Sequence, residues 1–570
     1  MNHRFRPTLG LALLALLPAS VYAQKSAQPL KYTAKPTTAA ITAADLMSRL
    51  YPFADDSMGG RAVGTPFNLK GTDYIANEVK KFGLLPGGDN GTYFQDIGVF
   101  TRALDRSSTI TVDGKTFAAG TDFLANLPTA LRTQNSYDVV FGGSAVDTTN
   151  VLSPDAVRGK LLLMTPLTRN IPQSEVQTLI NSEGYKRYLA TFRAAGAVAT
   201  IAPAAFNANQ QRNAFEPTGF GPLRVRLLGE TESGPTFTVQ GPLAEALLGV
   251  PVANATKGQT GKTATVNLQY KDNVLPGRNV IAILRGSDPK LRGSYVAIGA
   301  HNDHVPFRQT AVDHDSLRAF NTVARPGGVE DAPKTPTAEE WTRINAMKDS
   351  LRALHGGVRL DSINNGADDD GSGSMGVLEI AEAFAKAKVK PKRSIIFVWH
   401  TGEERGMYGS NYFTDHPTVP RDSIIAQLNV DMIGRGSVGD PVPWSGDSYV
   451  QLIGSRRLSK ELGDLVETVN TATKAGFKFD YGFDANGDPH NYYCRSDHWA
   501  YARYGIPITF FTTGGHRDYH MITDEPQYID YAKYAKVSQL IHDIGERVAN
   551  LDHRPVVDGK KGDPYATCQQ

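Results

Sequence analysis

Cysteine is almost absent: Cys494 and Cys568 are the only two in 570 residues. Two thiols exclude a thiolate zinc finger and a disulfide-dense scaffold. Whether the pair is bonded or free stays open at this level. Histidine is missing from residues 4 to 300, so no cluster of acids and imidazoles belongs to the first half of the chain. An excess of one charge is also lacking, with 60 Lys and Arg against 58 Asp and Glu and a formal net charge of +2. No basic run creates a local patch either, which removes the electrostatic case for a nucleic-acid partner. Beyond the N-terminus no apolar run is long enough to span a bilayer.

What is present begins with a leader. Arg4 and Arg6 precede the apolar run Leu9 to Leu17, and Val21-Tyr22-Ala23 places small residues before a cut. This is the three-part pattern of a cleaved secretory signal, with cleavage expected after Ala23. The run is too short for a membrane anchor, and no Cys follows the cut to take a lipid. The mature chain is therefore expected to be exported, periplasmic or secreted.

The remaining length implies more than one core. Residues 24–125 are taken as the N-terminal part of the larger domain, and 41–100 read as mixed helix and strand; Gly71 to Gly83 is an amphipathic helix with Tyr74, Ile75, Val79 and Phe82 on one face. From about 126 to 275 the texture changes to short β-type runs, such as Tyr137–Phe141 and Thr236–Val239, broken by Gly and Pro turns. This fits a small strand-rich module inserted into a larger domain. From 276 to 550 strands alternate with helices: Asn279–Leu284, Tyr295–Gly299, Ser394–Trp399, Ile424–Val430 and Ile506–Phe511 are buried-strand runs, and Gly373–Lys386 and Asp530–Ala549 are helices. Such alternation predicts an α/β domain with a mixed, largely parallel central sheet flanked by helices. Residues 305–363 form a long insertion, with Thr337 and Glu340 as a capping box and Trp341, Ile344, Leu351 and Leu354 sharing a face. A connection this long is either a lid or a decorative surface excursion, and its ends beside proposed metal ligands favour the lid. Residues 551–570 are a C-terminal tail.

Twelve of the thirteen histidines lie beyond residue 300, and two of them bracket a run of carboxylates. The order is Gly299-Ala300-His301-Asn302-Asp303, then Asn365-Gly366-Ala367-Asp368-Asp369-Asp370-Gly371-Ser372-Gly373, Glu403-Glu404, Asn429-Val430-Asp431, and Asp518-Tyr519-His520. Two imidazoles and several carboxylates with no thiol are the donors expected for a pair of hydrolytic divalent ions. Each piece alone is weak, since a lone His after a strand is usually structural and a Glu pair is usually surface charge. Together they fall just past predicted strand ends, where open α/β sheets build their sites.

Those motifs, with Thr401-Gly402-Glu403-Glu404-Arg405-Gly406-Met407-Tyr408-Gly409-Ser410 and Ser496-Asp497-His498, resemble the di-zinc exopeptidases of metallopeptidase family M28, the aminopeptidase and glutamate-carboxypeptidase group. Asp55-Asp56-Ser57-Met58-Gly59-Gly60-Arg61 and Gly87 to Gln95 are similar to that family's N-terminal stretch, and the module at 126–275 resembles its protease-associated domain. The resemblance implies a zinc-exopeptidase fold and two Zn2+ ions, with Mn2+ or Co2+ as substitutes. It implies that Asp369 bridges them, with Glu404 and His520 completing one set and His301 and Asp431 the other. A cis peptide is implied at Asp370. Glu403 would be the general base, and the Asp303 carboxylate would orient the His301 ring.

Tyr492, Tyr493, Asp497, His498 and Arg405 are the candidates for the substrate pocket, and His304 is placed near the site but outside the ligand set. The leading function is an aminopeptidase acting on peptides, with no nucleic-acid partner and no membrane span. Alternatives are a carboxypeptidase or dipeptidase for acidic peptides, glutaminyl-cyclase-like chemistry, and a receptor-like protein without catalysis. The full set of donors and base argues against the last two.

Overall fold

The computed structural model describes residues 28–128, 135–145, 147–166, 173–216, 222–228, 234–325, 332–436 and 446–570. The leader expected at 1–23 lies outside the described residues. Two large sheets organise the chain. The first takes β1 (Arg278–Leu284), β2 (Tyr295–His301), β3 (Ser394–His400), β4 (Ile424–Val430), β5 (Tyr449–Ile453), β6 (Lys478–Asp480) and β7 (Ile508–Thr512). Their spatial order is β1-β3-β2-β4-β7-β5-β6, with Leu85–Pro86 and Phe94–Asp96 both paired to β1. The four central strands β3, β2, β4 and β7 are mutually parallel, while β1 and β5 join antiparallel. The expected α/β class with a largely parallel centre is therefore the one observed.

The central strands are mostly apolar and almost wholly buried because both faces are covered. Side chains alternate along a strand. Val296 and Ile298 join Phe397, Trp399 and Leu428 in one core, while Ala297, Ile396, Val398 and Ile508 belong to another. The first core is closed by α1 (Ala43–Phe53), α2 (Pro66–Phe82), α5 (Gly373–Lys386), α6 (Lys460–Ala472) and α7 (Tyr531–Ala549). In α5 the apolar face of Val377, Leu378, Ala381 and Phe384 is buried against it. The other core is closed by Phe413, Tyr493, Tyr501 and Ile506.

The second sheet has eight strands, in the order 115–118, 109–112, 260–267, 136–144, 161–165, 197–201, 236–239 and 123–125. It has its own apolar core around Phe123, Val139, Leu163, Phe237 and Leu247. The sequence boundary at 126 cuts through this sheet. Thr109–Val112 pairs with Thr260–Asn267, and Phe123–Ala125 pairs with Thr236–Val239. The polar alternation of these short strands hid them from a reading by apolar runs. Phe100–Leu104 pairs antiparallel with Tyr270–Val274, so the chain enters and leaves this region along one ribbon.

The insertion holds α3 (His314–Ala324) and α4 (Ala338–His355), and its ends are tied by pairing of Val312–Asp313 with Leu360–Asp361. The Thr337–Glu340 capping box is present. The expected apolar face of α4 is mostly bare: Ile344 is buried against Ala319 and Val323, while Trp341 and Leu354 are exposed. Cys494 and Cys568 are joined in a disulfide, which fastens the C-terminal tail. Among the described residues no helix is long and apolar enough to cross a membrane.

Candidate metal centre

Parallel strands end at one edge of the sheet, and the candidate residues gather there. His301 closes β2, Glu403 and Glu404 follow β3, and Asp431 follows β4. The aspartate run lies between the insertion and α5, in a wide turn over Ala367–Ser372 that contains a cis Asp369–Asp370 peptide. Its three carboxylates have different fates. Asp368 Oδ1 accepts from Ser372 Oγ (2.8 Å) and the Gly434 N–H (2.7 Å). Asp370 accepts the N–H groups of Gly373 (2.8 Å), His301 (3.1 Å) and Met432 (3.2 Å). Asp370 is consumed by backbone, while Asp368 is held by Ser372 and Gly434 and has its Oδ2 3.2 Å from His516 Nε2. Asp524 takes the N–H of Asp369 at 3.1 Å, and this leaves the Asp369 carboxylate facing the other donors.

Asp369 stands between two imidazole groups. Its Oδ1 lies 3.2 Å from His301 Nε2, which is 3.8 Å from Asp431 Oδ1. Its Oδ2 lies 3.1 Å from His520 Nε2, which is 3.0 Å from Glu404 Oε2. Donors at about 2.0–2.2 Å around a tetrahedral ion are roughly 3.3 Å apart, the range of these separations. Asp369 Oδ2, Glu404 Oε1 and His520 Nε2 are buried without any partner in hydrogen-bonding geometry. Buried polar atoms left so are costly. Oxygen and nitrogen donors converging without mutual hydrogen bonds fit divalent ions, and the residues present fit zinc.

The ring of His301 is oriented from behind. Its Nδ1 is 3.0 Å from the Asp303 carbonyl, which can only accept, so Nδ1 carries the proton and Nε2 is free to donate its lone pair. The expected partner was the Asp303 carboxylate, but that lies 3.8 Å from Nδ1. Its Oδ1 instead accepts the N–H groups of Gly402 (2.7 Å) and Glu403 (3.2 Å). The carboxylate satisfies the turn after β3, where Gly402 has φ +74° and the backbone N–H groups lack partners of their own. Burial raises the Asp303 carboxyl to about 7. Ser496 Oγ donates to Asp431 Oδ2 at 2.7 Å, which turns Oδ1 toward His301.

Burial pushes the Glu403 carboxyl well above the usual range, opposed by His301 and assisted by the charges of Glu404, Asp497 and Asp431. A carboxylate so raised is suited to holding a proton near neutral pH. Glu403 lines a cleft of about 540 Å³ that also exposes His301, Asp369 and Asp431. Its wall also includes Met432, Tyr492, Phe510, Thr512 and Tyr519, with Arg495 and Ser496.

Of the five pocket candidates only Tyr492 belongs to this wall. Asp497 is buried 3.3 Å from His400 Nδ1, His498 is stacked on Phe510 behind the wall, and Tyr493 packs in the core with Tyr501. Arg405 lies on the turn after β3, outside the lining residues. Adjacent residues in a helical turn point in different directions, so a motif that reaches the cleft at Ser496 turns away at the next two positions. No described residue of the 305–363 insertion lines the cleft.

Two residues matter more than their sequence setting suggested. His304 is buried with its Nδ1 2.9 Å from Glu404 Oε1 and 3.7 Å from Asp369 Oδ2, and with those two it forms a further group able to hold an ion. Its place just past His301 was the available signal. Arg61 is fully buried beneath the site. It donates to the carbonyls of Phe53 (3.0 Å), Asn302 (3.1 Å), Asn365 (2.7 Å) and Gly366 (3.0 Å), joining the turn after α1 to both ligand-bearing segments.

Comparison with known proteins gives residues 329–545 as a match to peptidase family M28. Leupeptin-inactivating enzyme 1 of Streptomyces exfoliatus is 39% identical over 126 residues, 20% of this chain and 29% of that protein. Leucine aminopeptidase 2 of Arthroderma otae is 27% identical over 239 residues, 40% of this chain and 44% of that protein. The chain thus spans less than half the length of either relative. Among solved structures, a zinc aminopeptidase from Bacillus subtilis is 17% identical, covering 89% of this chain and 95% of that one, with a TM-score of 0.42.

Proposed function

We propose that this chain, which carries a peptidase family M28 domain over residues 329–545, is an exported di-zinc exopeptidase, an aminopeptidase that releases N-terminal residues from peptides. The observation that carries this reading is the pair of donor sets meeting at Asp369 beside a cleft that Glu403 lines. His301 and Asp431 would hold one ion, Glu404 and His520 the other, and Asp369 would serve both. Bound zinc would supply Lewis acidity for the scissile carbonyl and acidify a water, and Mn2+ or Co2+ would suit the same donors.

The chain's own residues do the rest. Glu403, with its carboxyl raised by burial, takes the proton of the attacking water and delivers it to the leaving amine. The Asp303 carboxylate holds the Glu403 backbone in place during that transfer. Met432, Tyr492 and Phe510 offer an apolar wall for a side chain next to the scissile bond. The names of both relatives given above agree with a peptide substrate. Export rests on the leader at 1–23. The second sheet is read as a protease-associated module that governs access of substrate or partner, since it carries no histidine.

One observation favours a second reading. Arg495 is exposed at the side of the cleft, placed to pair with a substrate carboxylate. That would suit a carboxypeptidase or dipeptidase. The test compares free-amino aminoacyl amides, N-blocked peptides ending in glutamate, and unblocked dipeptides, each with and without chelator. The aminopeptidase reading expects chelator-sensitive turnover of the amides. Turnover of N-blocked peptides alone would replace it with the second reading, and turnover indifferent to chelator would remove the metal mechanism.

A further inference from the structure

The loop that carries His520 is held from outside the domain it serves. His520 adopts φ +57°, a backbone region sparsely used by residues other than glycine. Its side chain is 35% exposed, so packing alone does not fix the ring. Two residues earlier Asp518 is fully buried. Asp518 Oδ1 accepts from Thr523 Oγ1 at 2.7 Å, and Oδ2 accepts from Arg435 Nη2 at 2.9 Å. Oδ2 also accepts from Arg318 Nη1, and Arg318 comes from α3 of the 305–363 insertion. The Arg318 guanidinium lies 3.3 Å over the ring of Tyr528, which sets its plane.

The platform behind Arg318 is itself pinned. Asp315, fully buried, pairs with Arg359 (2.9 Å) and His355 (3.0 Å), and Asp313 pairs with Arg352. Ala319, Val323 and Ile344 close a small core between α3 and α4. A long excursion with its own core and ion pairs, none of whose described residues lines the cleft, reaches the loop of a proposed ligand through Asp518.

We propose that Arg318 is a positioning residue, and that the insertion acts through it as a clamp on the Asp518–His520 loop rather than as a lid over the cleft. This rests on the reading of Asp369, Glu404 and His520 as one donor set. Clamping Asp518 presents the His520 ring at the distance from Asp369 and Glu404 that an ion requires, without an ordering cost at the moment of binding.

The experiment titrates zinc into the full metal-free chain against a competing chelating dye, so that two binding steps are resolved. Arg318→Met should weaken one step by about ten- to a hundredfold and leave the other within about twofold. Arg318→Lys keeps the charge but not the planar fork over Tyr528, and should give an intermediate value. In an Asp518→Asn background, Arg318→Met should have no further effect. Wild-type affinities in Arg318→Met overturn the clamp, as does a loss that persists in full in the Asp518→Asn background. Should Arg318→Met fail to fold, Arg318→Lys decides by the same step. A wild-type chain that takes up no zinc overturns the underlying reading instead, a result visible without any variant.

Discussion

Asp303 Oδ1 accepts the backbone N–H of Glu403 at 3.2 Å. Its carbonyl, not its carboxylate, receives Nδ1 of His301. One residue thus supports the proposed base with its side chain and a proposed ligand with its backbone. Asp303→Ala should therefore lower kcat by roughly ten- to a hundredfold while zinc affinity falls much less. Asp303→Asn keeps an acceptor oxygen and should lose less activity. Steady-state kinetics beside zinc titrations check this; equal losses of kcat and of zinc would return the carboxylate to the His301 ring.

Glu403→Gln should reduce kcat by about 10²–10⁴-fold with zinc content the same as in the wild type. Metal analysis of the purified variant is the check. Loss of an ion along with activity would make Glu403 a ligand rather than a base.

Ser496 Oγ donates to Asp431 Oδ2 at 2.7 Å and accepts from Asn429 Nδ2 at 3.0 Å. Ser496→Ala frees the Asp431 carboxylate to rotate, and should weaken one zinc site by roughly tenfold or more. Competitive titration with a chelator measures it, and wild-type affinity would show that Asp431 is held by other contacts.

The Cys494–Cys568 bond closes a separation of 74 residues. Loop-closure entropy of that length corresponds to about 4 kcal/mol of stability, so Cys494→Ser with Cys568→Ser should lower the urea midpoint clearly. Because Tyr492 and Arg495 of the cleft flank Cys494, KM should rise more than kcat falls. An unchanged midpoint would mean that the tail contributes nothing to the folded state.

Burial lowers His498 to about 3, and burial followed by Arg359 lowers His314 to about 4. Both are depressed below the unfolded value near 6.5, so the unfolded chain binds protons that the folded chain refuses. Their contribution is fully present above pH 6.5 and is lost as the pH falls toward 4 and 3, by up to about 1.4 kcal/mol per pH unit for each imidazole. His498→Phe, stacked on Phe510 in the same way, should flatten the fall in unfolding free energy between pH 6.5 and 4. A slope equal to wild type would show that His498 is protonated in the folded state.

The sheet's central strands were legible because each is buried on both faces. Ile395–Trp399 is an unbroken apolar run and Ile424–Val430 is apolar apart from Gln427 and Asn429, and the capping box at Thr337 and Glu340 marked the start of its helix. The strands at 109–125 were not legible, since TITV, KTFA and FLA are only three or four residues long and the first two are half polar, so that they resemble loop. The exposed side of α4 was misread for the opposite reason. Trp341 and Leu354 have the spacing of a buried face, but both stay exposed, with Trp341 meeting the edge of α3 at Phe320.

The types and order of the site residues were set down in the linear chain: two imidazoles, the Glu pair and Asp431 lie past strand ends, which parallel strands bring to one edge, and the aspartate run leads into α5. Which of three adjacent aspartates faces the site is a matter of tertiary structure. Asp370 accepts backbone N–H groups and Asp368 faces Ser372, Gly434 and His516, so that Asp369 is the one turned toward His301 and His520. The same holds for the turning away of Asp497 and His498, for His304 beside Glu404, and for Arg318 reaching Asp518 from an insertion 200 residues away in sequence. Composition and spacing state which groups are available, but only packing decides which buried donors and acceptors are already satisfied and which are left to bind something else.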